Sequence, residues 1–264
     1  MIPHPIEFHA DPGAAWTFMA VGAAFFLASA AWALRESLRH RNALAWLALL
    51  GGAIASLEES WIDHIIQLWY PYDSPWILFE GMGTPQPLYI HLIYPGFIGL
   101  GAYATYLGLR RDPGGRMLWP TFVAIMVMDL LFEGGATSAH VFYYYGPQPF
   151  QLVHDGWPAW VAPINAAGPM AAGWLMYRLE PTLRGARRLL FALLPPLAYT
   201  GVYGAASWPT HLLMNSGAAA AAIWAAAVVT MLLAVLVVHF IRASLPGTAL
   251  AAEGGGARLM ASAN

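Results

Sequence analysis

Residues 43–71 have the sequence ALAWLALLGGAIASLEESWIDHIIQLWYP. The stretch is apolar over more than the roughly 20 residues that a helix needs to cross a bilayer. It nevertheless carries carboxyl groups at Glu59 and Asp63. A charged side chain at the centre of a membrane helix costs about 2.5–3.5 kcal/mol on insertion scales, so acids at this depth indicate function. The stretch therefore predicts a membrane-spanning helix with a polar site built into it.

The composition of the whole chain agrees with a membrane protein. Of 264 residues, 59% are hydrophobic and 10% are charged, whereas soluble domains average about 25% charged residues. The absence of cysteine excludes disulfides and thiolate catalysis, and a net charge of −2 provides no basic stripe for nucleic acid. The expected partners are membrane lipid and a hydrophobic small molecule, and the oligomeric state is left open.

Apolar segments of similar length recur along the chain, at about 14–34, 43–69, 87–109, 117–139, 158–177, 188–208 and 217–241. Each is near or above the length that spans a bilayer. The predicted fold class is therefore all-α, a polytopic bundle of seven transmembrane helices. We expect a single domain over residues 1–245 and a disordered, Ala- and Gly-rich tail over residues 246–264.

Arginine is distributed unevenly among the connections. The loops 35–42, 110–116 and 178–188 each contain several arginines, whereas the loops 70–86, 140–157 and 209–216 and the N-terminus contain neither Arg nor Lys. Because positive residues collect on the cytoplasmic side, this alternation predicts an N-terminus outside and a C-terminus in the cytoplasm.

The second and third spans resemble the fourth and fifth. Pairs of matching residues lie 74 positions apart, namely Glu59 and Glu133, His91 and Asn165, Pro95 and Pro169, Gly99 and Gly173, and Tyr103 and Tyr177. The runs His64–Pro71 and His140–Pro147 match at a separation of 76. The pattern predicts an internal two-helix repeat whose copies run in the same direction.

Two helical faces carry the acids. Glu59, Asp63, Gln67 and Tyr70 share one face of the second span, and Asp129, Glu133, Thr137 and His140 repeat their spacing on the fourth. Two carboxyls one turn apart in a low dielectric do not both ionise easily, which leaves a neutral acid beside a carboxylate. Such pairs suit general acid–base catalysis, so the candidate catalytic residues are Glu59, Asp63, Asp129 and Glu133.

Other polar and aromatic residues are expected at the same depth, in a pocket in the outer half of the bilayer between the second, third, fourth and sixth spans. A structural role is an equal alternative for His91 and His211, and anchoring at the lipid interface is expected for most outer-loop aromatics, including Tyr144. The candidate substrate-binding residues are His91, His140, His211, Asn165, Tyr199, Tyr203, Trp208, Trp69 and Tyr70.

The histidine spacing does not favour a metal. There is no HxxxH or HExxH motif, and a diiron bundle uses Glu-x-x-His pairs. We therefore expect neither a metal nor another cofactor. Two alternatives to an acid–base enzyme stay open, a proton-coupled small-molecule transporter and a metal-dependent membrane oxygenase.

The run from Glu59 to Pro71, with Phe79-Glu80-Gly81-Met82-Gly83, Pro87 and the stretch Tyr94–Gly99, resembles the AveC-like spirocyclase family of bacterial integral membrane proteins. The resemblance covers roughly residues 55–180. Its Glu-x3-Asp and Trp-Tyr-Pro motifs match Glu59, Asp63, Trp69, Tyr70 and Pro71. The resemblance implies a multi-pass protein of the bacterial inner membrane that cyclises a hydrophobic polyketide or isoprenoid by acid–base chemistry, of spiroketal or terpene type.

Overall fold

The computed structural model describes residues 2–152 and 156–246, and the chain is mostly helical, so the all-α prediction is confirmed. The tail predicted to be disordered lies outside the described residues, apart from Pro246. The helices are α1 (Pro12–His40), α2 (Leu44–Ala55), α3 (Glu59–Ile66), α4 (Leu88–Tyr94), α5 (Gly101–Arg111), α6 (Leu118–Ser138), α7 (Ala162–Leu179), α8 (Leu194–Ala206), α9 (Trp208–Met214) and α10 (Ala220–Ala243).

Short helical segments of other pitch join some of these helices. A 3₁₀ turn at Ser56–Glu58 connects α2 to α3, a π-helical segment at Pro95–Leu100 connects α4 to α5, and a 3₁₀ segment at Gly185–Leu193 precedes α8. Pro95 has no N–H to donate to the preceding turn, which accounts for the altered pitch at the middle of this helix.

Five helical segments in the described part of the chain are long and apolar enough to cross a membrane: Pro12–His40, Leu88–Arg111, Leu118–Ser138, Gly185–Ala206 and Ala220–Ala243. Large apolar side chains such as Leu27, Leu131 and Leu236 are exposed on α1, α6 and α10. Exposed apolar surface of this extent is what lipid covers in a membrane protein.

The other two expected spans, 43–69 and 158–177, are also helical but lack the apolar length of the five. The first is interrupted at Ser56–Glu58 and carries the acids. The second, α7, contains Asn165 and Pro169 and is mostly buried, because α5, α6, α8 and α10 pack around it. A helix that its neighbours shield from lipid has small residues in place of large apolar ones.

Glycines allow two pairs of helical segments to approach closely. A Cβ on Gly99 would lie 2.9 Å from the carbonyl carbon of Ala48, and one on Gly173 would lie 2.5 Å from Cβ of Thr105. The π-helical segment therefore packs directly on α2, and α7 packs directly on α5. Gly99 and Gly173 are themselves one of the residue pairs, 74 positions apart, on which the predicted repeat is based.

Strands form in the connections that the arginine pattern predicts to be outside the membrane, and the sequence did not predict these strands. β2 (Ile77–Gly81) and β3 (Thr84–Pro87) form an antiparallel hairpin, and β1 (Leu68–Trp69) pairs antiparallel with β4 (Tyr143–Tyr144). The chain before α1 lies against these loops, where the amide of Ala10 donates to Asp73 Oδ1 at 3.0 Å. The loops thus hold together the ends of α3 and α6, which carry the acids.

Candidate functional site

A cavity of about 200 Å³ lies between the helices. Its walls come from α1, α3, α4, the π-helical segment, α6, α7, α8 and both sides of the β1–β4 pair. Most of the lining is apolar, and the carboxyl, amide and hydroxyl groups on it belong to Glu59, Tyr70, Tyr94, Asp129, Glu133, Tyr144, Asn165, Tyr199 and Tyr203. The cavity takes side chains from the second, third, fourth and sixth predicted spans, as expected, and also from the first and fifth.

Glu59 and Tyr70 form the polar group on one side of the cavity. Gln67 adopts a left-handed conformation, with φ 57°, that ends α3 and lets the chain return past the end of the helix. The Tyr70 hydroxyl then donates to Oε1 of Glu59 at 2.7 Å. Burial, with the nearby Glu59 and Asp63, raises the pKa of the Tyr70 phenol well above its usual range. Tyr70 is therefore a hydrogen-bond donor at any physiological pH.

Glu133 and Tyr144 form the corresponding group on the other side. The Tyr144 hydroxyl donates to Oε2 of Glu133, and the phenol follows the carboxyl by eleven residues, as in the first pair. Burial, with the nearby Glu133, raises the pKa of the Tyr144 phenol well above its usual range. The cavity is thus bordered by two Glu–Tyr pairs, in which Tyr70 directly follows β1 and Tyr144 belongs to β4.

Asn165 links the acids of α6 to the phenols of α8. Its Nδ2 atom donates to Asp129 Oδ2 at 2.9 Å and to Glu133 Oε1 at 3.1 Å. Its Oδ1 atom accepts from Tyr199 at 2.9 Å and from Tyr203. The two phenols fix the orientation of the amide, so that its donor side faces the carboxyls.

Asp63 lies behind Glu59 and does not line the cavity. It is completely buried, and its Oδ2 atom accepts from Gln86 Nε2 at 2.8 Å. The carboxyls of Glu59 and Asp63 interact directly, while Glu59 Oε2 and Asp63 Oδ1 are buried without a donor in the described structure. A proton shared between these two oxygens would satisfy both of them.

The three histidines expected at the site are placed outside the cavity. His91 is half-buried, with Nδ1 2.8 Å from Ser56 Oγ, and His211 contacts the carbonyl of Ile65 at 3.0 Å. His140 is exposed and stacks on Phe8, with ring centroids 5.9 Å apart, because a left-handed turn at φ 57° directs it away from α6. Their positions support structural roles.

Two expected aromatic contacts are also outside the cavity. Trp208 is 54% exposed at the start of α9. Trp69 is fully buried among the outer loops, where its ring packs on His4 with centroids 5.0 Å apart. Helix α8 therefore contributes Tyr199 and Tyr203 to the cavity, whereas Trp208 and His211 on α9 do not line it.

The sequence did not point to two polar residues of the cavity lining, Tyr94 and Tyr144. Tyr144 was expected to be an interface anchor, like most aromatic residues of its loop. A signal for it was present, because Tyr144 lies 74 positions after Tyr70, the separation that also relates Glu133 to Glu59.

The arrangement offers carboxyls, phenols and an amide to a bound molecule. In the part of the chain that the structure describes, no group of three or more His, Cys, Asp or Glu residues is arranged to hold a metal ion. The described lining also contains no Arg. The site can therefore exchange protons and donate hydrogen bonds, but it has no cation to hold a phosphate or diphosphate.

Comparison with models of protein families, with curated proteins and with solved structures found no match for this chain. The resemblance to AveC-like spirocyclases therefore rests on the residues quoted for it above.

Proposed function

We propose that this protein is a cofactor-independent membrane cyclase that closes rings in a hydrophobic substrate by acid–base catalysis. One observation carries the proposal: Glu59 and Glu133, on different helices, line the same largely apolar cavity, and each accepts a hydrogen bond from a tyrosine. A water-poor cavity of this kind strengthens electrostatic interactions with the reacting atoms and orients the chain for ring closure.

The hydrogen bonds suggest which carboxyl is the acid. Glu133 accepts from Tyr144 and Asn165, and donors of this kind stabilise a carboxylate. Oε2 of Glu59 and Oδ1 of Asp63 both lack a donor in the described structure, an arrangement that a proton shared between the two carboxyls would stabilise. We therefore assign the general acid to Glu59, supported by Asp63, and the general base to Glu133, supported by Asp129.

Spiroketal formation illustrates the chemistry. Glu59 protonates the carbonyl oxygen of a dihydroxy ketone while one hydroxyl attacks the carbonyl carbon, and Glu133 accepts the proton of that hydroxyl to give a hemiketal. The protonated Glu133 then gives its proton to the hemiketal hydroxyl, which leaves as water, and the second hydroxyl adds to the resulting oxocarbenium carbon and gives its proton to Glu59. One water molecule therefore leaves per spiroketal formed, and both carboxyls return to their starting states. A terpene-type cyclisation would use the same acid to protonate an alkene and the same base to deprotonate the cation. The AveC-like resemblance is compatible with both types of cyclisation, and spiroketal formation is the simpler of the two to test.

The proposal includes a topology of seven spans in a bacterial inner membrane, with the N-terminus outside and an internal parallel repeat. If only the five most apolar helices crossed with the N-terminus outside, Arg110, Arg111 and Arg116 would lie on the outer side. With the N-terminus inside, Arg39 and Arg41 would lie there instead, so either orientation is against the positive-inside rule. With seven spans, every arginine-containing loop is cytoplasmic. The matched Glu–Tyr pairs and the close-packed Gly99 and Gly173 support the repeat.

The topology can be tested by cysteine labelling, because the chain has no cysteine of its own. A membrane-impermeant maleimide added to intact cells should label Ser216→Cys and leave Arg116→Cys unlabelled until the membrane is permeabilised. Labelling of Arg116→Cys in intact cells would favour five spans.

The activity can be tested with a symmetric long-chain dihydroxy ketone in proteoliposomes. Its spiroketal is chiral, and the uncatalysed reaction gives equal amounts of both enantiomers. We expect the protein to accelerate closure and to give an excess of one enantiomer, with both effects lost in Glu59→Gln and retained in Glu80→Gln, where the carboxyl is exposed. A racemic product at the uncatalysed rate would overturn the spiroketal assignment, and accumulation of unchanged ketone under a pH gradient would indicate a transporter.

A further inference from the structure

The cavity wall is open to the surface of the helical bundle between α1 and α6. Four residues form this seam, Val21 and Phe25 on α1 and Met128 and Phe132 on α6, and all four line the cavity. Val21 is 45% exposed, Phe25 is 38% exposed and Met128 is 47% exposed, and Met128 and Phe132 also line a shallow depression on the surface of α6. The same side chains therefore face both the cavity and the surroundings of the bundle.

The packing of the two helices explains why a seam exists. α1 packs mainly on α2 and α4, whereas α6 packs mainly on α7. Across the seam, the rings of Phe18 and Phe132 contact each other with centroids 4.7 Å apart. In the proposed topology this contact lies nearer the outer surface than Val21, Phe25 and Met128, so the opening below it faces the hydrocarbon of the bilayer.

From these observations we propose that substrate reaches the cavity from the bilayer through the α1–α6 seam, and that it is a neutral long-chain alcohol whose apolar tail stays in the seam. The inference rests on the proposed function, because it takes the cavity carboxyls as the groups that act on the substrate.

The position of the carboxyls relative to the seam supports this route. Met128 directly precedes Asp129, and Phe132 directly precedes Glu133. A molecule whose chain passes between α1 and α6 thus brings its leading end to Asp129, Glu133 and Asn165 without crossing the outer loops.

The size of the cavity limits how much of the substrate it encloses. Its volume is about 200 Å³, below the roughly 300–1,000 Å³ of sites that enclose a drug-sized ligand. Only the reacting end of a long molecule fits inside, and the remainder must extend through the opening. In the seam, the apolar tail contacts the apolar side chains of Val21, Phe25 and Met128.

The polar groups of the lining select the chemistry of the leading end. Glu59, Asp129 and Glu133 accept hydrogen bonds or carry negative charge, and the described lining provides no Arg. A hydroxyl can donate to these carboxyls, whereas a fatty carboxylate or a phosphate would bring like charge into a low dielectric. The leading end is therefore a neutral hydroxyl-bearing group.

Photocrosslinking in proteoliposomes tests the route. Two octadecanol probes are used, one with a diazirine beside the hydroxyl and one with a diazirine near the chain end. We expect the first to label residues around Asn165 on α7, and the second to label residues around Val21 on α1. Excess unlabelled octadecanol should suppress both, and a matched stearic acid probe should not label the cavity.

Variants of the seam provide the decisive comparison. Met128→Trp and Val21→Trp should reduce labelling by the hydroxyl-end probe by about fivefold or more, whereas Val123→Trp, also exposed on α6 but away from the cavity, should leave it unchanged. Unchanged labelling in both seam variants, or chain-end labelling confined to the outer loops, would overturn the proposal. Equal labelling by stearic acid would overturn the neutral head group.

Blocking the seam reversibly with a chemical modification gives a test that does not depend on whether the tryptophan variants fold. Met128→Cys, the single cysteine in the chain, is modified after reconstitution with a bulky methanethiosulfonate and restored with a reductant. Hydroxyl-end labelling should fall on modification and return on reduction, and no change would count against the seam. Labelling requires no turnover, so intact labelling in a protein that cyclises nothing would refute the enzyme and leave the seam standing.

Discussion

The side-chain amide nitrogen of Asn165 lies 2.9 Å from Oδ2 of Asp129, and this hydrogen bond joins α7 to α6 at the cavity. The same nitrogen reaches Glu133 at 3.1 Å. A single amide thus donates hydrogen bonds to both acids of α6, so its loss would leave two buried carboxyls without this donor.

Asn165→Leu should lower the free energy of unfolding by about 1–3 kcal/mol, because buried carboxyls that lose their hydrogen-bond donor keep their desolvation penalty. Thermal unfolding in detergent measures the loss. Asn215→Leu is the matched control, since Asn215 is half-buried and donates to the carbonyl of His211 outside the cavity. An Asn165→Leu protein as stable as wild type would contradict the described hydrogen bonds.

Glu59→Gln and Glu133→Gln should each reduce turnover of the dihydroxy ketone by about 10²–10⁴-fold, the usual contribution of a general acid or base. The amide keeps the shape of the side chain but cannot transfer the proton. Initial rates in proteoliposomes, with Glu80→Gln as control, give the comparison. Full activity in both variants would refute the acid–base assignment.

Gly173→Ala should destabilise the protein by about 1–3 kcal/mol, the usual effect of overpacking a well-packed core. Its Cβ would lie 2.5 Å from Cβ of Thr105, so α5 and α7 would have to separate. Gly108→Ala is the control, because a Cβ there has nothing within 4 Å. The difference in unfolding midpoint between the two variants is the measurement, and equal midpoints would show that the α5–α7 contact is looser than described.

The buried phenols predict a loss of stability at high pH. Burial raises the pKa of Tyr70 and Tyr144 above the unfolded value of about 10. The unfolded chain therefore loses these protons first, so their contribution is complete below about pH 10 and is lost as pH rises further. At about pH 11 the loss is about 1.4 kcal/mol for each tyrosine.

Replacing both phenols tests that prediction through the slope of stability against pH. The double variant Tyr70→Phe, Tyr144→Phe should be less stable at neutral pH but should lose less stability between about pH 9 and pH 11. Tyr143→Phe, beside the cavity residue Tyr144 but outside the lining, is the control. A double variant with the wild-type slope would mean that these phenols are not the buried donors.

The sequence predicted helices at all seven positions because apolar length is a strong signal. The positions of the helix ends were predicted less well. Tyr70 and His140 were predicted to share a helical face with the acids, which requires each helix to continue to those residues. Instead, α3 ends at Ile66 and α6 ends at Ser138. Tyr70 returns to Glu59 through the turn at Gln67, whereas His140 turns away, and helical periodicity cannot distinguish these outcomes.

The site residues could be predicted only where the helix continues, because helical periodicity gives the direction of a side chain only within a helix. Glu59, Asp129, Glu133, Asn165, Tyr70, Tyr199 and Tyr203 do line the cavity. The outer residues His91, His211 and Trp208 were assigned by depth alone, and depth does not say which way a side chain points. The hairpin β2–β3 and the pairing of β1 with β4 depend on contacts between segments distant in the sequence, which periodicity does not report.

The short pairing of β1 with β4 has a mechanical consequence. It sets Leu68 opposite Tyr144 and Trp69 opposite Tyr143, so the segments that lead to the two donor phenols share one backbone ladder. The ladder ties the chain that follows α3 to the chain that follows α6. We therefore expect the two Glu–Tyr pairs to keep a fixed spacing across the cavity, because neither loop can shift without breaking these backbone hydrogen bonds.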